Sequence, residues 1–196
     1  MKRFFDIVAS GLGIVVLSPI FVFLALWIKL DSKGPVFYRQ LRVGRNNRDF
    51  RLFKFRTMRP ESDKEWLITV GLRDPRVTRS GYFLRKYKLD ELPQLLNVLI
   101  GEMSLVGPRP EVRKYVDLYT PRQMRVLSVR PGITSLASIE YRNENELLAK
   151  AEDPDRIYIE QIMPHKLEID LGYLEKTGFL YELGLIGKTI WLTMRP

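Results

Sequence analysis

The sequence predicts an α+β, mainly helical protein in which an N-terminal membrane helix precedes a small membrane-associated domain. Three observations support this fold class: an uncharged apolar stretch at 7–28, two short β-rich runs at 36–40 and 50–55, and later segments whose apolar residues recur at helical spacing. We place the boundary after Ser32, which gives a membrane segment at 1–32 and a domain at 33–196.

The apolar stretch from Ile7 to Ile28 is long enough to cross a hydrocarbon core of ~30 Å at ~1.5 Å per residue. A cleavable signal peptide is disfavoured, because the stretch is too long and no small-residue cleavage site follows it. We therefore expect this segment to stay embedded in the membrane.

Two features bear on how the segment lies in the membrane. Ser18-Pro19 falls in its middle, where proline bends or breaks a helix and serine can satisfy a freed backbone group. Cations flank both ends, and the positive-inside tendency places both flanks on the cytoplasmic side. A re-entrant helix kinked at Ser18-Pro19 meets both conditions, and a tilted signal anchor with a proline kink is an equal alternative.

The rest of the chain alternates short strands, loops and helices. After a turn at 31–35, strands are predicted at 36–40 and 50–55, joined by the polar, glycine-containing residues 44–47. Helices are predicted where acids open a first turn or apolar residues recur at helical spacing. The predicted loops are 74–77 and 104–111, and the predicted helices are 60–66, 92–100, 121–127, 143–151 and 154–177, the last interrupted at Pro164 and Gly172.

The final stretch, 178–195, combines many apolar residues with Tyr181, Lys188 and Trp191. This composition is typical of an amphipathic helix in the membrane interface, with aromatic rings at headgroup level. A C-terminal helix packed on the core is an equal alternative on composition. The membrane segment favours the interface, since it holds the following helices close to lipid.

The composition limits the chemistry. Lysine and arginine number 32 against 23 acids, giving a net charge of +9, and a basic body suggests a polyanionic partner. Cysteine is absent, which fits a reducing compartment, and His165 is the one histidine, so neither a Cys/His zinc site nor a Cys-His nucleophile can be built. Nucleic acid is disfavoured as the partner, because no zinc module, RNA-binding strand signature or clean basic helix face is present.

Asp90 and Glu91 lie within the most basic neighbourhood of the chain. Pro93 follows them, and proline is tolerated only in the first turn of a helix, so the two carboxylates are predicted to fall at a helix N-terminus. The helix dipole and nearby cations are expected to keep an acid ionised there. Such a carboxylate can act as a nucleophile or a metal ligand, and a helix cap with surface ion pairs is the structural alternative.

Several basic motifs are candidates for binding phosphate, because arginine offers paired donors to phosphate oxygens. Flanking prolines stiffen the segment around Arg109, which also contains Glu111. The turn at 130–134 offers an arginine, backbone amides and a hydroxyl, and it is equally well explained as a structural turn. The candidate phosphate- and substrate-binding residues are Lys54, Arg56, Arg85, Arg109, Glu111, Arg130 and Thr134.

Over essentially its whole length the chain resembles the monotopic phosphoglycosyl transferases, small bacterial sugar transferases that begin glycan assembly on a polyprenyl phosphate. The resemblance is carried by ordered motifs, which read KRFFD before the Ser18-Pro19 segment, RQ-x-R-x-G at 39–44, KFRTM at 54–58, DPRVT at 74–78, LR at 84–85, LDELPQ at 89–94, SLVGPRPE at 104–111 and RPGIT at 130–134.

The resemblance implies a re-entrant helix with both ends cytoplasmic, and an Asp90-Glu91 pair held at the membrane surface with a magnesium ion. In that family the aspartate attacks the β-phosphate of a nucleotide-diphosphate sugar, and polyprenyl phosphate then takes the phosphosugar. One departure puts sugar or uridine contacts nearby in doubt: Ser135 and Ser138 stand where the family usually has glycine and glutamine.

From the sequence we expect a Mg²⁺-dependent phosphoglycosyl transferase that uses a UDP-sugar and polyprenyl (undecaprenyl) phosphate by a ping-pong mechanism. It would catalyse the first membrane step of glycoconjugate synthesis at the cytoplasmic face of a bacterial inner membrane. Asp90 is the expected nucleophile, and Glu91 would hold magnesium or manage the acceptor's proton. An exposed interfacial surface in contact with phospholipid would also permit a homodimer. The rival is a non-enzymatic membrane-anchored adaptor whose basic face binds anionic lipid.

Overall fold

The computed structural model of the protein describes residues 1–60, 74–176 and 178–194. These residues are mainly helical with two small sheets, as the α+β prediction requires. The predicted helix at 60–66 falls outside the described residues except for Pro60. The helices are α1 (Lys2–Asp31), α2 (Arg79–Lys86), α3 (Gln94–Ile100), α4 (Arg113–Val116), α5 (Leu136–Glu140), α6 (Glu144–Ala149), α7 (Pro154–Ile157), α8 (Met163–Glu175) and α9 (Phe179–Thr193). The strands are β1 (Phe37–Val43), β2 (Asp49–Phe55), β3 (Ser104–Val106) and β4 (Gly132–Thr134).

α1 runs without interruption, and within the described residues it is the helix long and apolar enough to cross a membrane. Pro19 lies inside it and has no amide hydrogen to donate to the carbonyl of Val15. The Ser18 hydroxyl donates to that carbonyl at 2.8 Å. The prediction that serine compensates for the proline is therefore confirmed, while a kink at this point stays a prediction.

Both ends of α1 are bonded to the following domain. Near its start, Asp6 accepts hydrogen bonds from the Ser104 hydroxyl at 2.9 Å and from the Leu105 amide at 3.1 Å. At its end, Asp31 accepts hydrogen bonds from the amide and the hydroxyl of Ser80, at 2.9 and 2.8 Å. The two ends of one long helix are thus fixed to a single body.

The surface of α1 between these two ends is apolar and exposed. Val15 and Val16, next to the proline, are 70% and 64% exposed. On the opposite side the helix packs along α3, where a Cβ added to Gly13 would lie 3.4 Å from the Leu95 side chain. An exposed apolar stripe of this size on a long helix marks contact with lipid or protein.

β1 and β2 form an antiparallel hairpin paired from Phe37 opposite Phe55 to Val43 opposite Asp49. The hairpin at 36–55 is therefore confirmed. Its connection contains Asn46 and Asn47 at φ 56° and 58°, a left-handed conformation that asparagine tolerates. Because strands alternate their faces, β2 exposes Asp49 and Arg51 on one side and packs Phe50 and Leu52 into the core on the other.

α2 and α3 support the acid pair from both sides. Thr78 caps α2 by accepting a hydrogen bond from the Gly81 amide at 3.0 Å. Gly81 packs directly on the backbone of Thr57, two residues after the end of β2, since an added Cβ would lie 2.0 Å from the Thr57 carbonyl oxygen. α3 ends at Gly101 with φ 98°, as predicted.

β3 and β4 are a parallel pair, which corrects the prediction of a loop over 104–106. The pairing continues past the strands, because the Gly107 amide donates to the Thr134 carbonyl at 3.0 Å and the Gly132 amide to the Pro108 carbonyl at 2.9 Å. The two glycine backbones lie so close that a Cβ on Gly132 would be 2.1 Å from the Gly107 nitrogen. This interlock fixes the segment that carries Arg109.

The C-terminal helices enclose the largest core cluster. Its buried members are Tyr115, Val126, Leu148, Tyr158, Ile162, Met163, Leu167 and Leu171. The helical run from 154 to 175 is continuous, so the predicted interruption at Gly172 is wrong. Pro164 falls in the first turn of α8, where its missing amide is tolerated, and a π-helical turn at Tyr158–Ile162 precedes it.

α9 packs one face on the core, as one of the two alternatives expected, while its place in the membrane interface stays a prediction. One face is buried through Leu185 and Glu182, and Glu182 accepts a hydrogen bond from Lys2 at 2.5 Å. The other face leaves Leu180 81% and Trp191 52% exposed. The helix therefore packs on the core and keeps an apolar face outside it.

Candidate active site

The acid pair lies on a short 3-10 turn, Leu89–Glu91, between α2 and α3. Lys88 takes a left-handed conformation at φ 54°, which turns the chain out of α2. Pro93 follows at φ −62° and precedes the first residue of α3. The position of Pro93 thus predicts correctly that the acids stand where a helix begins.

Asp90 is a buried carboxylate with one oxygen left over. Asp90 is only 7% exposed, and its Oδ1 has no hydrogen-bond partner among the described residues. Burial raises the pKa of Asp90, and the nearby Lys54 cation opposes that rise. Desolvation is thus the larger effect on the pKa of Asp90, and the cations reduce it without cancelling it.

Glu91 is held by two cations. Its Oε1 accepts hydrogen bonds from Lys54 Nζ at 3.0 Å and Arg109 Nη2 at 2.5 Å, and its Oε2 accepts one from Arg109 Nη1 at 3.2 Å. Burial alone would raise the pKa of Glu91, but Arg109 and Lys54 hold it well below its ordinary value. In turn Glu91 raises the pKa of Arg109. Glu91 therefore fixes two cations beside Asp90.

Arg85 completes the basic surroundings of Asp90. Its Nε donates to the Thr57 hydroxyl at 2.9 Å, which ties α2 to the end of the hairpin. Burial lowers the pKa of Arg85, while the Asp90 carboxylate raises it. The fold thus brings Lys54, Arg85 and Arg109 from three separate motifs to one pair of acids.

Three other predicted phosphate ligands lie elsewhere. Arg56 donates to the carbonyls of Ser32 and Lys33, both at 2.7 Å, and so caps the end of α1. Arg130 Nε donates to the Gly101 carbonyl at 2.9 Å, at the end of α3 remote from the acids. Thr134 is buried and shares a 2.5 Å hydrogen bond with a hydroxyl of α9. These contacts favour structural roles for Arg56, Arg130 and Thr134.

Glu111 lies beyond Arg109, in the wall of a pocket that the sequence analysis missed. It accepts a hydrogen bond from Arg42 Nη1 at 2.9 Å and another from the Tyr158 hydroxyl. Asp170 of α8 lies in the same pocket. Asp170 lies one turn after Leu167 and next to Leu171, so its carboxyl falls on the apolar face of α8. This pattern could have identified Asp170 from the sequence.

The acid pair suits a magnesium ion whose coordination shell is completed by the substrate. Among the described residues no group of three or more Asp, Glu, His or Cys side chains could form an all-protein metal cage. Mg²⁺ instead commonly uses one or two carboxylates together with substrate phosphates and water. The unpartnered Oδ1 of Asp90 fits that role. Glu91 already accepts three hydrogen bonds from Lys54 and Arg109, so Asp90 is the less occupied acid of the pair.

The chain is similar to known proteins over nearly its whole length. A family model described as bacterial sugar transferase matches residues 1–196. A UDP-N-acetylgalactosamine-undecaprenyl-phosphate N-acetylgalactosaminephosphotransferase of Aeromonas hydrophila is 40% identical over 97% of this chain and 43% of its own length. A UDP-glucose:undecaprenyl-phosphate glucose-1-phosphate transferase of Klebsiella pneumoniae is 37% identical over 97% of this chain and 39% of its own. The chain therefore spans less than half the length of these two relatives.

A shorter relative is matched almost throughout. The uncharacterized sugar transferase EpsL of Bacillus subtilis is 37% identical over 97% of this chain and 85% of its own length. The similarity thus covers the long apolar helix α1, the acid pair and the C-terminal helices together.

Proposed function

The chain belongs to the bacterial sugar transferase family, and from this membership we propose that it transfers a sugar 1-phosphate from a UDP-sugar to undecaprenyl phosphate and releases UMP. Two relatives are named for transfers of this kind to undecaprenyl phosphate. The observation that carries the proposal is Asp90, a buried carboxylate with a free oxygen among fixed cations. The reaction would be the first membrane step in building a glycoconjugate.

In the first half-reaction a carboxylate oxygen of Asp90 attacks the β-phosphorus of the UDP-sugar. The new bond joins the Asp90 oxygen to phosphorus, and the bond from the β-phosphorus to the bridging oxygen breaks. UMP leaves with that oxygen, and the phosphosugar stays on Asp90 as an acyl phosphate. Burial helps because a carboxylate stripped of water is a stronger nucleophile than a hydrated one.

In the second half-reaction a phosphate oxygen of the polyprenyl phosphate attacks the same phosphorus. The bond between phosphorus and Asp90 breaks, which frees the carboxylate and yields a polyprenyl diphosphate sugar. Two half-reactions allow a water-soluble donor and a lipid acceptor to use one site in turn. We therefore expect ping-pong kinetics.

The cations neutralise charge on the transferring phosphoryl group. Lys54 and Arg109 are held by Glu91, and Arg85 by Thr57, so that their positive charges are in place before substrate binds. Mg²⁺ bound to Asp90 and the diphosphate would supply further charge neutralisation and favour the ionised form of this carboxyl. In this proposal the main role of Glu91 is to position Lys54 and Arg109.

We further propose that α1 is re-entrant, with both ends on the cytoplasmic face of a bacterial inner membrane. The support is that Asp6, near its start, and Asp31, at its end, bond to the same domain. A helix that crossed the bilayer would place these ends on opposite sides, where one domain could not reach both. The exposed apolar stripe at Val15 and Val16 would then face lipid.

The topology is testable with single cysteines, because the chain contains none. Phe4→Cys and Lys33→Cys lie at the two exposed ends of α1, and Val16→Cys in its middle serves as a matched control. In intact cells a membrane-impermeant maleimide should label none of the three. In inverted inner-membrane vesicles it should label Phe4→Cys and Lys33→Cys but leave Val16→Cys unlabelled. Labelling of either end from outside would rule out the re-entrant arrangement.

The activity itself is tested with the detergent-solubilised full chain. We expect UMP release from at least one member of a UDP-sugar panel when undecaprenyl phosphate is present. EDTA should stop the release and added Mg²⁺ restore it. A complete lack of UMP release across the panel, with binding to anionic vesicles retained, would instead identify the membrane-anchored adaptor.

A further inference from the structure

A pocket with charged side chains in its wall lies next to the acid pair. Its walls are mostly apolar, with four charged side chains among them: Arg109, Glu111, Lys166 and Asp170. Its inner space of about 30 Å³ exceeds the ~10–15 Å³ that a single water needs. The pocket therefore admits one or two hydroxyl-sized groups, and a whole ring could lie only at its mouth.

Asp170 lines this pocket and carries a buried carboxyl oxygen that no described residue satisfies. The residue is 5% exposed, and its Oδ1 has no hydrogen-bond partner among the described residues. Ser135, at the start of α5, is the hydroxyl within hydrogen-bonding reach of the carboxyl. A buried polar atom without a partner costs free energy, so its presence in an apolar wall calls for a ligand that completes it.

Lys166 lies one turn before Asp170 on α8 and lines the same pocket. Its ammonium donates to Glu144 at 2.6 Å and lies 5.3 Å from the centre of the Tyr158 ring. This pairing holds Lys166 at the pocket while leaving donor capacity on the ammonium. Asp170 and Lys166 thus offer an acceptor and a donor side by side, the combination that binds a hydroxyl group.

The opposite wall of the pocket contains Tyr158, the first residue of a π-helical turn. The Tyr158 hydroxyl donates to Glu111, which Arg42 holds from the other side. π-helical turns occur frequently at functional sites, because the extra residue re-aims the side chains around it. Here the turn closes the pocket between α8 and the segment that carries Arg109.

Arg109 joins the pocket to the acid pair. Its guanidinium binds Glu91, and the same residue lines the pocket. In a UDP-sugar the β-phosphate carries the sugar directly, whereas the nucleoside is one phosphate further away. A donor with its β-phosphate at Asp90 and Arg109 would therefore bring its sugar, before its ribose, to Asp170.

We propose that the Asp170 carboxyl and the Lys166 ammonium bind hydroxyl groups of the donor's sugar and so determine which UDP-sugar is accepted. The proposal rests on the proposed transferase function and adds a specificity site to it. Asp170 and Lys166 would contact the sugar without taking part in the phosphoryl transfer, so their loss should weaken donor binding more than it slows turnover.

The test compares Asp170→Asn with Glu168→Gln, a control on the exposed side of α8. The full-length variants are assayed for UMP release with UDP-glucose, UDP-galactose, UDP-N-acetylglucosamine and UDP-N-acetylgalactosamine. For Asp170→Asn we expect KM for the preferred donor to rise about 10-fold or more, a smaller change in kcat, and a reduced preference among the four sugars. Inhibition by UMP should stay unchanged, and Glu168→Gln should match the wild type.

The outcomes distinguish a failure of this inference from a failure of the proposed transferase function. A wild-type chain that releases no UMP from any donor would overturn both. An active wild type with an unaltered Asp170→Asn profile would overturn the sugar site alone, and so would weakened UMP inhibition, which would place the nucleoside there. If Asp170→Asn shows no cooperative thermal unfolding transition, Asp170→Ser is assayed in the same way. If neither variant is folded, the Asp170 carboxyl is required for stability of the fold and the sugar site is rejected.

Discussion

Replacing Asp90 by asparagine should reduce UMP release by about 10³-fold or more. The amide keeps the size of the carboxyl, but it cannot form the bond to phosphorus that the proposed mechanism requires. Because Oδ1 of Asp90 has no hydrogen-bond partner among the described residues, the exchange should leave the thermal unfolding temperature unchanged or higher. A loss of activity in a stably folded protein is therefore expected.

The covalent intermediate can be followed directly. With a donor radiolabelled in the sugar and no acceptor, the wild type should retain label after denaturing quench and lose it when undecaprenyl phosphate is added. Asp90→Asn should retain none, whereas Asp117→Asn, at an exposed carboxylate, should behave like the wild type. Substantial turnover by Asp90→Asn would reject Asp90 as the nucleophile.

Replacing Gly132 by alanine should have the largest effect on folding. A Cβ at this position would lie 2.1 Å from the Gly107 nitrogen and 2.5 Å from the Gly107 oxygen, both backbone atoms that cannot rotate away. The β3–β4 pair must then separate, and the segment carrying Arg109 moves with it. We expect destabilisation of several kcal/mol, about 3 or more, together with loss of activity.

Gly187→Ala provides the matched control, because nothing lies within 4 Å of a Cβ added at that position in α9. In a helix interior this exchange should be neutral or stabilising by about 0.5–1 kcal/mol. Thermal unfolding of the solubilised proteins, read by intrinsic fluorescence, compares the two variants. Equal unfolding temperatures for Gly132→Ala and the wild type would show that the strand pair can open without cost.

The elements that local chemistry determines were predictable from the sequence. The uncharged run gives α1, the alternating strands and the asparagine turn give the hairpin, and Pro93 gives the turn that carries Asp90. The three-residue strands β3 and β4 were not predictable in this way. Their sequences contain proline and glycine neighbours that resemble a loop, and their pairing depends on contact between distant segments.

The site was predictable in its acids and only partly in its cations. Arg109 and Arg56 both lie in basic motifs, yet Arg109 binds Glu91 while Arg56 binds carbonyls at the end of α1. A guanidinium can donate to carboxylates, phosphates and carbonyls alike, so residue type alone cannot distinguish these roles. Asp170 was missed because a single acid in an amphipathic helix is ordinary until the fold shows it buried.

The attachment of α1 at both ends has a consequence for biosynthesis. The apolar helix is synthesised before its partners, because Lys2 bonds to Glu182, which is 180 positions later in the sequence. Asp6 likewise finds its partners only when residues near 104 have been made. Synthesis proceeds from the N-terminus, so Lys2 and Asp6 stay without these partners until the later segments have been made. The final docking of α1 is therefore a late event that completion of the domain makes possible.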